Sequence, residues 1–193
     1  MTIPAFSKEK GSLLDNLFQK MRIQRIKKYI KSGAIVCDFG CGFEGVMLHS
    51  IKDRIDSGVG LDLRINPEYS DNRITLKEAD LNNELDLEDD HFDIVLSLAN
   101  IEHLENPEQI MKEIHRILKP GGILLLTAPS IYGKPVLEFL AYKLHVINEQ
   151  SIRDHKTYFD KKTINDLCKK IGFRAFNHKY FQLFMNNFLY AKK

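Results

Sequence analysis

Asp38, Asp62 and Asp80 each close or follow a short apolar run, and Gly40, Gly42 and Gly45 lie between the first two. Carboxylates at strand ends hold cations and hydroxyl donors, while glycines without a Cβ let a ligand press against the main chain. The glycines match the dinucleotide-binding spacing, with an acid about 20 residues further on. Asp38 discriminates among ligands. A pyrophosphate at this turn would lie at the N-terminus of the next helix, yet a carboxylate about 5 Å away would repel it by roughly 3 kcal/mol at an effective dielectric of about 20. The site therefore suits a cationic ligand, and S-adenosylmethionine, with an ammonium, a sulfonium and no phosphate, fits.

His103 and His155 are the candidate general bases, because imidazole titrates near neutral pH and could take a proton from a hydroxyl acceptor. Each could equally be a loop hydrogen bonder. Tyr158 shares the segment of His155, with Tyr132 and Lys134 as lesser candidates. Cys37, Cys41 and Cys168 are odd in number and lack the spacing of a zinc pair, which suits a reducing cytoplasm.

The elements that must position these groups alternate. Leu13, Leu14, Leu17, Phe18, Met21 and Ile26 recur at helical spacing, with basic residues opposite through Lys31 and a stop at Gly33. Strands are predicted over 34–38, 58–63, 74–79, 92–98 and 122–128, and helices over 46–55, 107–118, 136–144 and 160–171. Such alternation demands crossover connections, hence a mostly parallel sheet with helices on both faces and a ligand crevice beyond the strand ends. Asp38, Asp62, Asp80 and Asn100 all fall there. The tail reads as two antiparallel strands, 173–181 and 183–191, around Asn186 and Asn187.

With 193 residues, 44% hydrophobic and 28% charged, the chain makes one domain. Residues 1–32 form its N-terminal helical cap and 129–159 a substrate-covering insertion. A net charge of +2 with dispersed basic residues gives no reason to expect nucleic acid or an anionic membrane. The first residues, Met1 to Phe6, do not read as a secretory leader, and no window reads as a membrane span. A small-molecule partner, in a cytoplasmic monomer or homodimer, is the expectation.

Six segments in order then resemble the class I S-adenosylmethionine-dependent methyltransferases, especially the small ubiquinone- and sugar-pathway type: 36–42, 60–62, 79–81, 92–95, 100–104 and 116–122. That likeness runs from about Ile30 to the C-terminus. It implies a Rossmann-like three-layer α/β sandwich whose seven-stranded, mostly parallel sheet has one antiparallel strand near the end. It also implies roles. Asp38 holds the methionine ammonium, and Gly40 and Gly42 admit the methionine portion. Asp62, with Leu63 beside it, takes the ribose hydroxyls, Asp80 and Leu81 take the adenine, and Leu98 and Asn100 line the methionine end. The family's third glycine falls where this chain has Glu44, with glycine only at Gly45, so the loop is wider or the next helix starts later. A methyl acceptor with a reactive oxygen is expected. An NAD(P)-dependent reductase and a non-catalytic binding subunit of the same fold stay open as alternatives.

Overall fold

The structure, a computed structural model, describes residues 13–193, without the side chains of Leu13 and Asp15. The leader reading at Met1 to Phe6 and the first part of the helical cap lie outside the described residues. Helix α1 (Leu13–Lys27) leads into strand β1 (Ala34–Phe39), helix α2 (Val46–Ile51), β2 (Ile55–Asp62), β3 (Ile74–Glu78) and β4 (Phe92–Leu98). Then follow α3 (Pro107–Ile117), β5 (Leu118–Pro129), α4 (Lys134–Tyr142), α5 (Glu149–Arg153), α6 (Lys161–Ile171), β6 (Ala175–Phe181) and β7 (Asn186–Lys192). Among the described residues no helix is long and apolar enough to cross a membrane.

The seven strands form one sheet in the order β3-β2-β1-β4-β5-β7-β6. β7 runs antiparallel to both β5 and β6 while the other pairings are parallel, so one strand is reversed, as expected. Order reverses at β1 and β4, where a ligand crevice opens beyond the strand ends. Alternate strand residues supply two cores. Cys37, Phe39, Val95 and Leu124 pack with Ile110, Ile114, Ile164 and Cys168 of α3 and α6 on one face. Val36, Ile94, Leu96 and Leu125 pack with Ile26, Met47 and Leu48 of α1 and α2 on the other. The three-layer sandwich follows from that alternation.

Local chemistry sets the element ends. α3 starts where the Asn106 side chain accepts from Gln109 N–H at 3.1 Å with Pro107 in the first turn. α6 starts at Asp160, which accepts from Thr163 N–H at 2.7 Å, and stops at Gly172 in the left-handed conformation, φ 105°. Residues 129–159 carry α4, α5 and a small core of their own, Leu137, Ala141, Ile147 and Ile152, against which Leu14 and Phe18 of α1 pack.

Several boundaries differ from the sequence expectation. α2 ends at Ile51 and a 3-10 turn, Lys52–Arg54, precedes β2, which begins three residues earlier than predicted. Helix α1 ends at Lys27, and Leu17 and Met21 are 49% and 38% exposed, so its apolar stripe is only partly used. Asn186 and Asn187 do not make the closing turn. They open β7, and residues 182–184 turn instead, all three with positive φ. Asn187 is fully buried and its Nδ2 donates to the carbonyls of Ala128, Pro129 and Phe159, while its Oδ1 meets His178 Nε2 at 2.7 Å. An amide bridging three main-chain oxygens belongs inside the sheet, where turn propensity does not decide.

Candidate active site

β1 carries Asp38 to the crevice, in register with Gly60 on one side and Leu96 on the other. Its side chain is 1% exposed and its Oδ1 has no hydrogen-bond partner among the described residues. Burial, and then the negative charge of Asp62, push its carboxyl up to about 7. A small cavity beside it is lined by Gly40, Cys41, Met47 and Leu98 and roofed by Gln19, Arg22 and Ile23 of α1. A buried carboxylate with a free oxygen facing a cavity is a receptor for a cation.

The two glycines do different work. Gly40 has φ 78°, and a Cβ there would stand 2.5 Å from Asn100 Cγ, so it admits the Asn100 side chain. Gly42 has φ 74° with nothing within 4 Å of a Cβ position, and its N–H donates to Asp62 Oδ2 at 2.9 Å. One glycine permits packing and the other leaves open space above the main chain. Gly45, φ 60°, stands just before α2, which begins at Val46. Glu44, in the place of the family's usual third glycine, accepts a hydrogen bond from Tyr69 at 3.2 Å.

β4 ends at Leu98, and Ala99 adopts φ 53°, held by donation of its N–H to the Thr127 carbonyl at 2.8 Å. Asn100 follows with a buried Nδ2 that has no partner among the described residues. Asp80 accepts from Asn82 N and Nδ2, both at 3.0 Å, and from Asn83 Nδ2 at 3.2 Å, so its carboxylate also organises its own loop. Leu81 is buried in the α3–α6 core, whereas Leu63 is 54% exposed.

His103, His155 and Tyr158, more than fifty residues apart in part, come together. The two imidazole centroids lie 4.8 Å apart, and His155 Nδ1 sits 3.0 Å from the Tyr158 hydroxyl. Main-chain bonds from Lys156 and Thr157 N–H to the Glu102 carbonyl, 2.8 and 3.2 Å, fasten the insertion to the turn after β4. Burial, with the neighbouring His103, lowers His155 to about 4, and burial also lowers His103. Burial raises Tyr158 to about 12. At neutral pH the cluster thus presents uncharged rings and an un-ionised phenol. Tyr132 and Lys134 sit in exposed positions, although the Lys134 ammonium lies 5.3 Å from the centre of the Tyr158 ring.

Sequence inspection alone overlooked Glu102. It is 1% exposed, its Oε1 lies 4.0 Å from His155 Nε2, and burial pushes its carboxyl up to about 8. The available signal was a glutamate between Ile101 and Leu104, both buried, where a surface acid would have no reason to stand.

Fold and crevice define a class I, Rossmann-like methyltransferase. The orphaned Asp38 oxygen, the orphaned Asn100 amide and the open main chain at Gly42 fit the amino-acid end of S-adenosylmethionine. A methyltransferase-domain family model matches residues 15–178, and the chain belongs to that S-adenosylmethionine-dependent family. It is similar to a sterol 4-C-methyltransferase of Caenorhabditis elegans, 27% identical over 83% of this chain and 45% of that one. It is also similar to the mitochondrial ubiquinone biosynthesis O-methyltransferase of Dictyostelium discoideum, 30% identical over 56% of this chain and 38% of that one. Among solved structures, phosphoethanolamine N-methyltransferase 2 of Haemonchus contortus, in complex with phosphomonomethylethanolamine and S-adenosylhomocysteine, superposes with a TM-score of 0.69 at 19% identity, over 90% of this chain and 53% of that one. The chain spans from 24% to 65% of the length of the curated relatives it matches.

Proposed function

We propose that this chain transfers a methyl group from S-adenosylmethionine to a hydroxyl oxygen of a small organic acceptor. The observation that carries this reading is the contact between His155 Nδ1 and the Tyr158 hydroxyl, 3.0 Å, in a buried cluster beside the end of β4. Carbon, nitrogen and oxygen acceptors all occur among the relatives' names, and a hydroxyl, protonated at neutral pH where a thiolate is not, calls for a base at the methyl-transfer end of the crevice, which this cluster supplies.

When bound, S-adenosylmethionine supplies a methyl carbon made electrophilic by its sulfonium. Asp38 would hold the ammonium, Asn100 would donate its orphaned amide to the carboxylate end, and Gly42 would leave the main chain open to both. Asp62, already fixed by the Gly42 N–H, would accept from the ribose hydroxyls, with Leu63 alongside. Asp80 and Leu81 would border the adenine, and Leu98 the methionine end. As the acceptor oxygen bonds to the methyl carbon and the sulfur leaves as a neutral thioether, His155 would take the hydroxyl proton on Nε2 while Tyr158, on Nδ1, orients the ring, and α4 and α5 would keep water out. Alignment of this kind can supply about 7–11 kcal/mol of the barrier. The three cysteines are free and buried, which suits a reducing cytoplasm, and the exposed rim of α4 leaves both a monomer and a homodimer workable.

Calorimetric titration with S-adenosylhomocysteine and with NAD tests the cofactor, and a labelled-methyl screen over phenols, sugars, amines and thiols tests the acceptor. Preferential NAD binding would overturn the methyltransferase mechanism. Turnover confined to amines or carbon acids would overturn the oxygen, and tight cofactor binding without turnover across the panel would favour a binding subunit.

A further inference from the structure

Glu102, His103 and His155 offer one ligand atom each, and all three atoms lie within 4.8 Å of one another. Glu102 closes the 3-10 turn after β4 together with His103, while His155 arrives from the far end of the insertion. We infer that these three side chains form a site for one divalent first-row transition-metal ion, Zn2+ or a metal of similar preference, at the acceptor end of the crevice. One carboxylate and two imidazoles are a donor set that leaves coordination positions open for a substrate oxygen.

Three independent features support the site. Glu102 Oε2 is buried without any hydrogen-bond partner among the described residues, although a carboxylate in that position should be fully engaged. Oε1 and His155 Nε2, 4.0 Å apart, are too far for a hydrogen bond and close enough to reach a common ion. The other nitrogen of His155 is held by the Tyr158 hydroxyl at 3.0 Å. Outer partners of that kind are what orient imidazole ligands. Around a tetrahedral ion with bonds of about 2.1 Å the donors stand about 3.4 Å apart, so the widest separation must close by about 1.4 Å.

The site deepens the hydroxyl-acceptor reading and depends on it for its purpose, because an ion there would fix and polarise the acceptor oxygen. It also predicts a preferred acceptor class, one with a hydroxyl beside a second oxygen, which fills two open positions at once. In that arrangement His155 serves as a ligand and Tyr158 as its positioning residue.

Chelator-treated, tag-free protein titrated with Co2+ should take up one equivalent per chain, develop visible d–d absorption of a nitrogen-containing low-coordinate site, and lose it on adding Zn2+. Glu102→Gln and His155→Asn should each weaken Co2+ at least about 100-fold, and Tyr158→Phe about tenfold, as loss of an outer partner does. S-adenosylhomocysteine binding, measured in the same samples, reports whether each variant is folded, and the wild-type stoichiometry needs no variant. Intact S-adenosylhomocysteine binding with no stoichiometric Co2+ uptake would overturn the metal site and leave the methyltransferase reading standing. Co2+ uptake unchanged in both ligand variants would overturn it as well. Uptake at the site with no S-adenosylhomocysteine binding would overturn the methyltransferase reading instead.

Discussion

Replacing Asp38 by asparagine should stabilise the cofactor-free protein, and do so more strongly as pH rises. The carboxyl is raised from 3.8 to about 7 by burial and by Asp62. The folded state therefore binds this proton more tightly than the unfolded chain. The stability that proton confers is complete below pH 3.8, falls as pH climbs, and is gone above about 7. Each pH unit in that window costs about 1.4 kcal/mol, so the full loss is about 4 kcal/mol and the part between pH 5 and pH 8 is about 3 kcal/mol. Asparagine carries no proton to lose. Urea unfolding at the two pH values should show the variant's advantage widening by about 3 kcal/mol, equivalent to about 6–12 °C in Tm for a chain of this size. An advantage that does not widen, or a variant less stable than the wild type at pH 8, would refute the assignment of a strained buried charge. The same groups predict the opposite order for binding. Wild-type affinity for S-adenosylhomocysteine should rise about tenfold per pH unit up to about 7 and then level, because only the ionised carboxylate pairs with an ammonium, whereas the variant should bind weakly at every pH.

Gly40→Ala forces a side chain into a left-handed backbone and to within 2.5 Å of Asn100; calorimetry should find S-adenosylhomocysteine affinity reduced at least about tenfold, with a stability loss of about 1–3 kcal/mol. Asp62→Asn removes a charged acceptor of hydroxyl hydrogen bonds and should weaken the same ligand by about 10–100-fold, while also lowering the pH at which Asp38 titrates. Asn187→Ala strips a buried amide from the carbonyls of Ala128, Pro129 and Phe159 and should cost about 2–4 kcal/mol in urea unfolding, with no change in m.

The glycine turn and the strand over 92–98 were legible in the chain because periodicity and punctuation are local there: a buried parallel strand must be apolar throughout, and Gly40 must be glycine for a steric reason visible in one turn. Asn187 favours a turn by residue type, and only the end of β5 that it joins, 58 and 59 residues upstream, reveals why it sits in a strand. α5 went unseen because its five residues carry no periodicity. His103, His155 and Tyr158 were recognisable as chemical candidates, but their convergence is set by the main-chain bonds from Lys156 and Thr157 to Glu102. No spacing rule encodes that contact, and Glu102 was lost with it.

α1 is fastened at both ends to different bodies. Leu14 and Phe18 grip the 129–159 segment, Ile26 grips the sheet, and Gln182 reaches across to the Phe18 carbonyl at 3.1 Å. Arg22 and Ile23, midway, roof the cavity at Asp38. The helix is thus a hasp rather than a cover: loosening either grip frees the middle. Hydrogen exchange along α1 should accordingly slow when a ligand is held beneath it, and the rate at which spent ligand escapes should track how firmly Phe18 stays seated.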